Sequence, residues 1–232
     1  MFFDYYYILW VLPAVIFAIW ASARVSTTFQ KYSAQLSHLG LSGSQAARKV
    51  LEAAGVYQVH IEKTGGSLTD HYDPRTNIIR LSDSVCDRTS TAAIGVAAHE
   101  AGHAIQYAQG YLPIKIRNAI IPVTNIGSRL AIPLILIGLL FAGEGLGNLA
   151  YLGVLCFGLS TLFQLLTLPV EFDASRRALR ALESTHILTG EELYGARKVL
   201  TAAALTYVAA LAVSLTQLFR LLAIVNRRNG RK

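Results

Sequence analysis

Two of the six histidines in this 232-residue chain stand four apart with a glutamate beside the first, in Val96-Ala-Ala-His99-Glu100-Ala-Gly-His103-Ala104. On an α-helix, residues four apart share a face one turn apart, so both imidazoles can reach a single ion at about 2.0–2.1 Å. Glu100 lies about 100° further round, close enough to touch a water at that ion without ligating it. With 6 His and 8 Glu in the chain, this spacing is expected by chance roughly 0.005 times. Two satisfied histidines on an alanine-rich helix are therefore the weaker reading. The chemistry indicated is metal-assisted hydrolysis, with His99 and His103 as ligands and Glu100 as general base.

Such a site takes a third protein ligand and keeps a fourth position open. The metzincin extension needs a glycine at position 106 and a histidine at 109; both are glutamine, and Met1 is the only methionine, so no Met-turn exists. The remaining common solution is a carboxylate from a later helix. Glu171 heads Pro169-Val-Glu-Phe-Asp-Ala-Ser-Arg-Arg177, directly after an uncharged run of 22 residues. Pro169 suits a first helical turn, and a carboxylate emerging from so apolar a run needs a reason that a metal supplies. Stabilisation by a helix N-terminus is the blander account, and it would serve Asp173 equally. Glu171 leads as third ligand, with Asp173, His186, His71 and Asp70 as alternatives.

The elements that must position these residues are largely membrane-like. The chain is 53% hydrophobic and 15% charged, against about a quarter charged for a soluble domain. That excludes disorder, collagen and coiled coil. Residues 5–23 carry no charge, enough to cross a bilayer. A cleavable signal peptide is disfavoured because Asp4 replaces the expected basic start and the first positive charge, Arg24, follows the apolar run. Residues 119–142 carry only Arg129, which we read as snorkelling near a tilted helix end. Residues 149–170 carry no charge, and 201–225 carry only Arg220. The net charge of +7 fits a cytoplasmic excess of Lys and Arg rather than nucleic-acid binding. Cys86 and Cys156 form no disulfide framework.

The segments are therefore an N-terminal transmembrane helix over 1–23 and a catalytic segment over 24–118. A transmembrane hairpin follows over 119–170, then a polar stretch over 171–200 and a C-terminal hydrophobic helix with a basic tail over 201–232. In the catalytic segment, Ser44–Ala54 reads as a helix stopped by Gly55, and a metal-bearing helix runs over 90–108 with Gly110 as its stop. Between them lie three short β-like runs, around Val59 and Ile61, over Leu68–Tyr72, and over Asn77–Ser82. Residues 170–200 read as two short helices around Thr189-Gly190. Arg24 and the charge beyond it place the N terminus outside and the catalytic segment in the cytoplasm. Four crossings then put the basic tail outside, against the same rule.

The stretches Val-Ala-Ala-His99-Glu-Ala-Gly-His103-Ala-Ile-Gln and Leu168-Pro-Val-Glu171-Phe-Asp-Ala-Ser-Arg-Arg-Ala, separated by a hydrophobic hairpin, resemble the YugP-type neutral zinc metallopeptidases of bacterial membranes. Leu68–Pro74 and Ala202–Ala210 look like the same family, so the likeness covers nearly the whole chain. The arrangement is also similar to that of HtpX-type and prenyl-protein endopeptidases. The resemblance implies a gluzincin site with His99, His103 and Glu171 as ligands and Glu100 as base. It departs at Ser175, where the larger group carries a ligand-supporting aspartate; Asp173 or another residue is expected to take that role.

The expected fold is a mainly α integral membrane protein of about four transmembrane helices, with a small α+β zincin-like catalytic domain containing a short β-meander. The expected function is a membrane-embedded zinc endopeptidase holding one Zn²⁺ per chain and cutting membrane or membrane-proximal proteins in a bacterial cell membrane. His186, Tyr194 and Arg176 are candidate oxyanion donors, and Asp173 a candidate support. Asn77, Ile78, Ile79, Arg80 and Leu81 are the expected edge strand against which an extended substrate pairs. Expected partners are a peptide or membrane-protein substrate, the lipid bilayer, and a membrane-protein regulator or second copy of the chain, but no nucleic acid. Two other readings remain at this point. One is a site-2-type intramembrane protease, which lacks its Leu-Asp-Gly here. The other is a non-catalytic metal-bound scaffold, which has no need of Glu100.

Overall fold

The computed structural model describes residues 4–141, 143 and 145–229. Residues 1–3, Ala142 and Glu144 around the hairpin turn, and 230–232 with Arg231 and Lys232 of the basic tail lie outside the described residues. The elements are α1 (Leu12–Ser33, continuing a π-helical turn Tyr7–Val11), α2 (Gly43–Ala53), β1 (His60–Thr64), β2 (His71–Asp73), β3 (Ile78–Ser82), α3 (Thr91–Ala108), α4 (Leu112–Leu140), α5 (Asn148–Ser184) and α6 (Gly190–Asn229). Among the described residues, four helices are long and apolar enough to cross a membrane: Tyr7–Ser33, Leu112–Leu140, Asn148–Ser184 and Gly190–Arg228. The protein is mainly α, with one small mixed sheet.

Two compact units emerge. One comprises Met1–Trp20, Ile116–Leu168 and Thr206–Lys232. Within it α4 and α5 approach backbone to backbone: a methyl on Gly138 would lie 2.2 Å from the Ala150 amide nitrogen. Small residues allow such contact where lipid offers no hydrophobic drive. Thr161 and Ser214 hydroxyls share a 2.7 Å hydrogen bond between α5 and α6. Arg220, 9% exposed, donates from Nε and Nη2 to the Asp4 carboxylate at 3.1–3.3 Å. Asp4 itself accepts from the Tyr7 backbone N–H at 2.8 Å and so caps the first helix. Asp4 precedes the first crossing and Arg220 sits near the end of the last. Their pairing sets the start of the first apolar helix beside the later part of the last.

The other unit comprises Ala21–Lys115 and Pro169–Leu205. Its core joins α2, the sheet, α3 and the polar halves of α5 and α6, with Leu51, Ile79, Leu81, Ile94, Leu182 and Leu188 fully buried. α2 opens on a capping box between Ser42 and Gln45 and stops before Gly55, whose φ of +72° suits glycine.

Two expectations need correction here. The sheet is not a meander: its order is β1-β3-β2, with β1 parallel to β3 and β2 antiparallel to it. Between β1 and β2 the chain turns through left-handed backbone at Gly66 (φ +102°) and Leu68 (φ +56°), which carries β2 to the far side of β3. Residues 68–70 therefore lie in this link and not in a strand. Nor is 170–200 a pair of short helices. α5 continues unbroken through Pro169, which sits inside the helix and not in its first turn, and α6 begins at Gly190 and runs on through the apolar segment. Proline inside an apolar helix of this kind is tolerated because neighbours re-satisfy the freed backbone groups. Beyond Pro169, Val170, Ala174, Ala178 and Leu182 recur every fourth residue, all fully buried, so one face of the continuing helix has a core to pack against.

Candidate metal centre

α3 is built from small residues. Ser90 caps it by accepting from the Ala93 N–H, and Gly110 (φ +69°) ends the turn that follows it. Ala92, Ala93, Ala97, Ala98, Ala101 and Ala104 are buried, which lets neighbouring backbones come close. One such approach is at Gly102, where a methyl would lie 2.5 Å from the Ala174 carbonyl oxygen of α5. That contact sets Glu171, one turn before Ala174, opposite His99 and His103.

The result is a compact donor cluster. Glu171 Oε2 lies 3.3 Å from His99 Nε2 and 3.4 Å from His103 Nε2, and one ligand atom from each of the three residues falls within 4.8 Å of the others. Four ligands placed tetrahedrally at zinc–ligand distances stand about 3.3–3.4 Å apart, so both measured separations fit the edges of such a tetrahedron. Glu171 is 3% exposed and His103 9%. A buried set of two imidazoles and one carboxylate is the chemistry of a zinc site with an open position.

Both rings are held from behind. The Ser175 hydroxyl lies 3.1 Å from His99 Nδ1. Gln106 Oε1 lies 3.1 Å from His103 Nδ1, while Gln106 Nε2 donates to the Val170 carbonyl at 2.8 Å and to Asp173 Oδ2 at 2.9 Å. Asp173 accepts in turn from Arg177. Metal-binding histidines commonly use their second nitrogen in this way, which fixes ring and tautomer.

Glu100, on the same helix, is buried as well. Burial pushes its carboxyl up to about 7; the His99 ring and the Tyr72 backbone amide pull it down, while Glu171 and Asp70 push it further up. Tyr72 belongs to β2, whose ring meets Tyr107 of α3 edge-on at 6.2 Å. The sheet thus presents β2 to the site.

The expected site residues divide clearly. His99, Glu100, His103 and Glu171 come together, and Asp173 supports the cluster through Gln106. His186 does not join it: it sits exposed in the turn after α5, at φ +54°, and the helical rise from Glu171 to Ser184 alone spans about 20 Å. Tyr194 is 49% exposed on α6, with Lys198 over its ring, and Arg176 is exposed on α5, about 140° round from Glu171. Asp70 and His71 are no ligands either. Asp70 accepts from Ser82 N–H at 2.7 Å and Ser82 Oγ at 3.0 Å, and burial raises its carboxyl; His71 Nδ1 lies 2.9 Å from the Thr69 carbonyl.

The expected substrate edge, Asn77, Ile78, Ile79, Arg80 and Leu81, is corrected outright. β3 is the central strand, paired on both sides, so it has no free edge for a third partner. Its alternation marks a buried strand with Ile79 and Leu81 inward. Gln106 went unassigned from sequence. Its signal was a polar residue three after His103 on an otherwise alanine-rich, buried helix.

Residues 7–226 match a family described as "Putative neutral zinc metallopeptidase". A protein of Bacillus subtilis (strain 168) named "Putative membrane protease YugP" is 43% identical over 225 residues, covering 97% of this chain and 98% of the relative. No solved structure matches the chain.

Proposed function

We propose, from the premise that this chain belongs to the neutral zinc metallopeptidase family, that it is a membrane-embedded gluzincin endopeptidase. One zinc ion per chain is held by His99, His103 and Glu171, and Glu100 is the general base. The observation that carries this reading is the pair of Nε2–Oε2 separations, 3.3 and 3.4 Å, in a buried cluster whose two rings are each held at Nδ1.

Bound zinc supplies a polarised scissile carbonyl and an acidified water. The chain's own residues do the rest. Glu100 takes the proton from the attacking water and returns it to the leaving amine. Burial excludes bulk solvent from that exchange. The β2 edge, His71–Asp73, replaces β3 as the place where an extended substrate lies, since the Tyr72 amide already reaches Glu100.

The substrates are membrane proteins or peptides near the bilayer, and the site faces the cytoplasm of a bacterial cell. The polar segments 24–118 and 170–200 together hold 15 of the 21 basic residues, and this count outweighs the short basic tail.

The test pairs metal content with cleavage of an unfolded reporter such as casein, on full-length protein in detergent. Wild type carries one zinc and cuts; Glu171→Ala loses the zinc; Glu100→Gln keeps it and cuts at least 100-fold more slowly, within the usual range for a lost general base. Zinc without cleavage in both wild type and Glu100→Gln would sink the protease reading and favour a metal-bound scaffold. Full zinc in Glu171→Ala would remove Glu171 as ligand.

A further inference from the structure

We infer that Gln106 is a positioning residue that locks His103 into the one neutral tautomer able to bind a metal through Nε2. The inference rests on the reading of His103 as a ligand and adds a residue that the motif does not contain.

Gln106 is fully buried. Its amide nitrogen has two hydrogens, and the structure gives each an acceptor: the Val170 carbonyl at 2.8 Å and Asp173 Oδ2 at 2.9 Å. The flipped amide would set its oxygen against a carbonyl and a carboxylate, three acceptors with no hydrogen among them, at the full cost of unmet buried polar groups. The orientation is therefore fixed, and Oε1 faces His103 Nδ1 at 3.1 Å. An amide oxygen only accepts, so Nδ1 carries the hydrogen. In the neutral ring the lone pair is then on Nε2, the atom 3.4 Å from Glu171 Oε2.

Asp173 anchors the amide, and Arg177, four residues on, anchors Asp173. The carboxylate thus acts on His103 only through a neutral amide. His99 differs. Its partner is the Ser175 hydroxyl, which donates or accepts as required, so His99 is held in place without its tautomer being dictated. Of the two imidazoles, one is locked and one is permissive.

The measurement uses full-length protein with ¹⁵N-labelled histidine rings in detergent micelles, first stripped with chelator and then titrated with zinc against a chromophoric competitor. Long-range proton–nitrogen correlations report the tautomer of each ring. At a pH where both rings are neutral, zinc-free wild type shows Nδ1–H as the sole neutral tautomer of His103. Gln106→Met, close in shape and unable to accept, shows both tautomers at His103, and its zinc dissociation constant rises about 10–100-fold, the usual effect of losing such a partner. Should Gln106→Met fail to fold by circular dichroism, Asp173→Ala decides: it frees one amide hydrogen and yields a detectable second tautomer with a several-fold weaker constant. An unchanged tautomer and unchanged zinc constant in Gln106→Met, or in Asp173→Ala where that variant decides, overturns the inference. A wild type that binds no zinc yet holds His103 as Nδ1–H overturns the ligand reading and leaves the lock standing.

Discussion

Gly102→Ala adds one methyl group, and its consequence can be worked from the contact it creates. The methyl would sit 2.5 Å from the Ala174 carbonyl oxygen, 3.1 Å from its carbon and 3.2 Å from its Cα. An ordinary contact needs the oxygen about 1 Å further away. All three atoms are backbone of α5, so no side chain can swing aside; the helices must separate. Two terms then oppose one another. Alanine is favoured over glycine inside a helix by about 1 kcal/mol, and overpacking costs about 1–3 kcal/mol. Net destabilisation is therefore modest, about 0–2 kcal/mol. The metal site is far less forgiving. Glu171 is one turn before Ala174 on the same helix, and ligand distances must hold to within about 0.2 Å. A shift of about 1 Å should weaken zinc at least 10-fold while the protein stays folded. Gly95→Ala is the control on the same helix: its methyl meets Ala196 Cβ of α6 at 3.2 Å, a mild contact on an element that carries no ligand. Zinc competition titration and thermal melting on both variants decide the matter. Equal zinc affinity in Gly102→Ala and wild type refutes the claim that the α3–α5 contact sets the ligand geometry. An equal loss in Gly95→Ala refutes its locality.

Ser175→Asp places a carboxylate behind His99, where the wider group has one, and should tighten zinc up to about 10-fold in competition titration; weaker binding would mean the hydroxyl is preferred there. Arg220→Gln leaves Asp4 without its charge partner and should cost about 2 kcal/mol in reversible detergent unfolding, less than for a fully buried pair because Asp4 keeps some exposure. Adding Asp4→Asn should recover part of that loss, and no recovery in the double-mutant cycle would deny the coupling. Asp70 is held above the ordinary carboxylate value by burial. The folded protein therefore binds its proton more tightly than the unfolded chain. The contribution is present at acid pH and is lost as pH rises from the unfolded value through the folded one. Asp70→Asn, melted at a series of pH values, should lack that fall; an identical profile would show that Asp70 does not couple to folding. Peptide substrates N-methylated at single amides should lose cleavage at alternate positions if they lie along β2 as a strand, and uniform tolerance would remove β2 from the substrate path.

How far the sequence disclosed the site depended on whether the signal was local. His99, Glu100 and His103 are fixed by helix geometry alone, since one helix carries all three. Glu171 is 68 residues beyond His103 and was reached through chemistry: a carboxylate out of place at the end of an uncharged run. The helix around it was misjudged because Pro169 looks like a start signal, and only the buried Val170, Ala174, Ala178 and Leu182 stripe shows why the helix continues. The sheet failed for a different reason. Strand existence is local, but strand order depends on where the link between β1 and β2 goes, and the left-handed Leu68 that turns it has no strong residue preference for that backbone. With β3 wrongly at the edge, the substrate strand followed it. Ser175 looked like a missing support because an aspartate was expected; its hydroxyl reaches His99 from the same helical position.

Charge balance ties these parts together. Glu100 and Glu171 are 8% and 3% exposed, and the Glu171 charge adds to the cost of ionising Glu100. The adjacent Arg177 is committed to Asp173 and Gln109. A divalent cation would balance the two buried carboxylates, and Arg177 balances the Asp173 charge beside them. Metal binding should therefore be folding energy for this unit. Zinc at 100 times its dissociation constant stabilises by about 2.7 kcal/mol, which for a chain of this length raises the melting temperature by about 5–10 °C. Magnesium, with no affinity for a pair of imidazoles, should leave it unchanged. Scanning calorimetry of chelator-treated protein with each ion separates the outcomes. An equal shift with magnesium, or a zinc shift that survives in Glu171→Ala, would mean that the stabilising ion sits elsewhere and that this cluster does not need the charge it is built to hold.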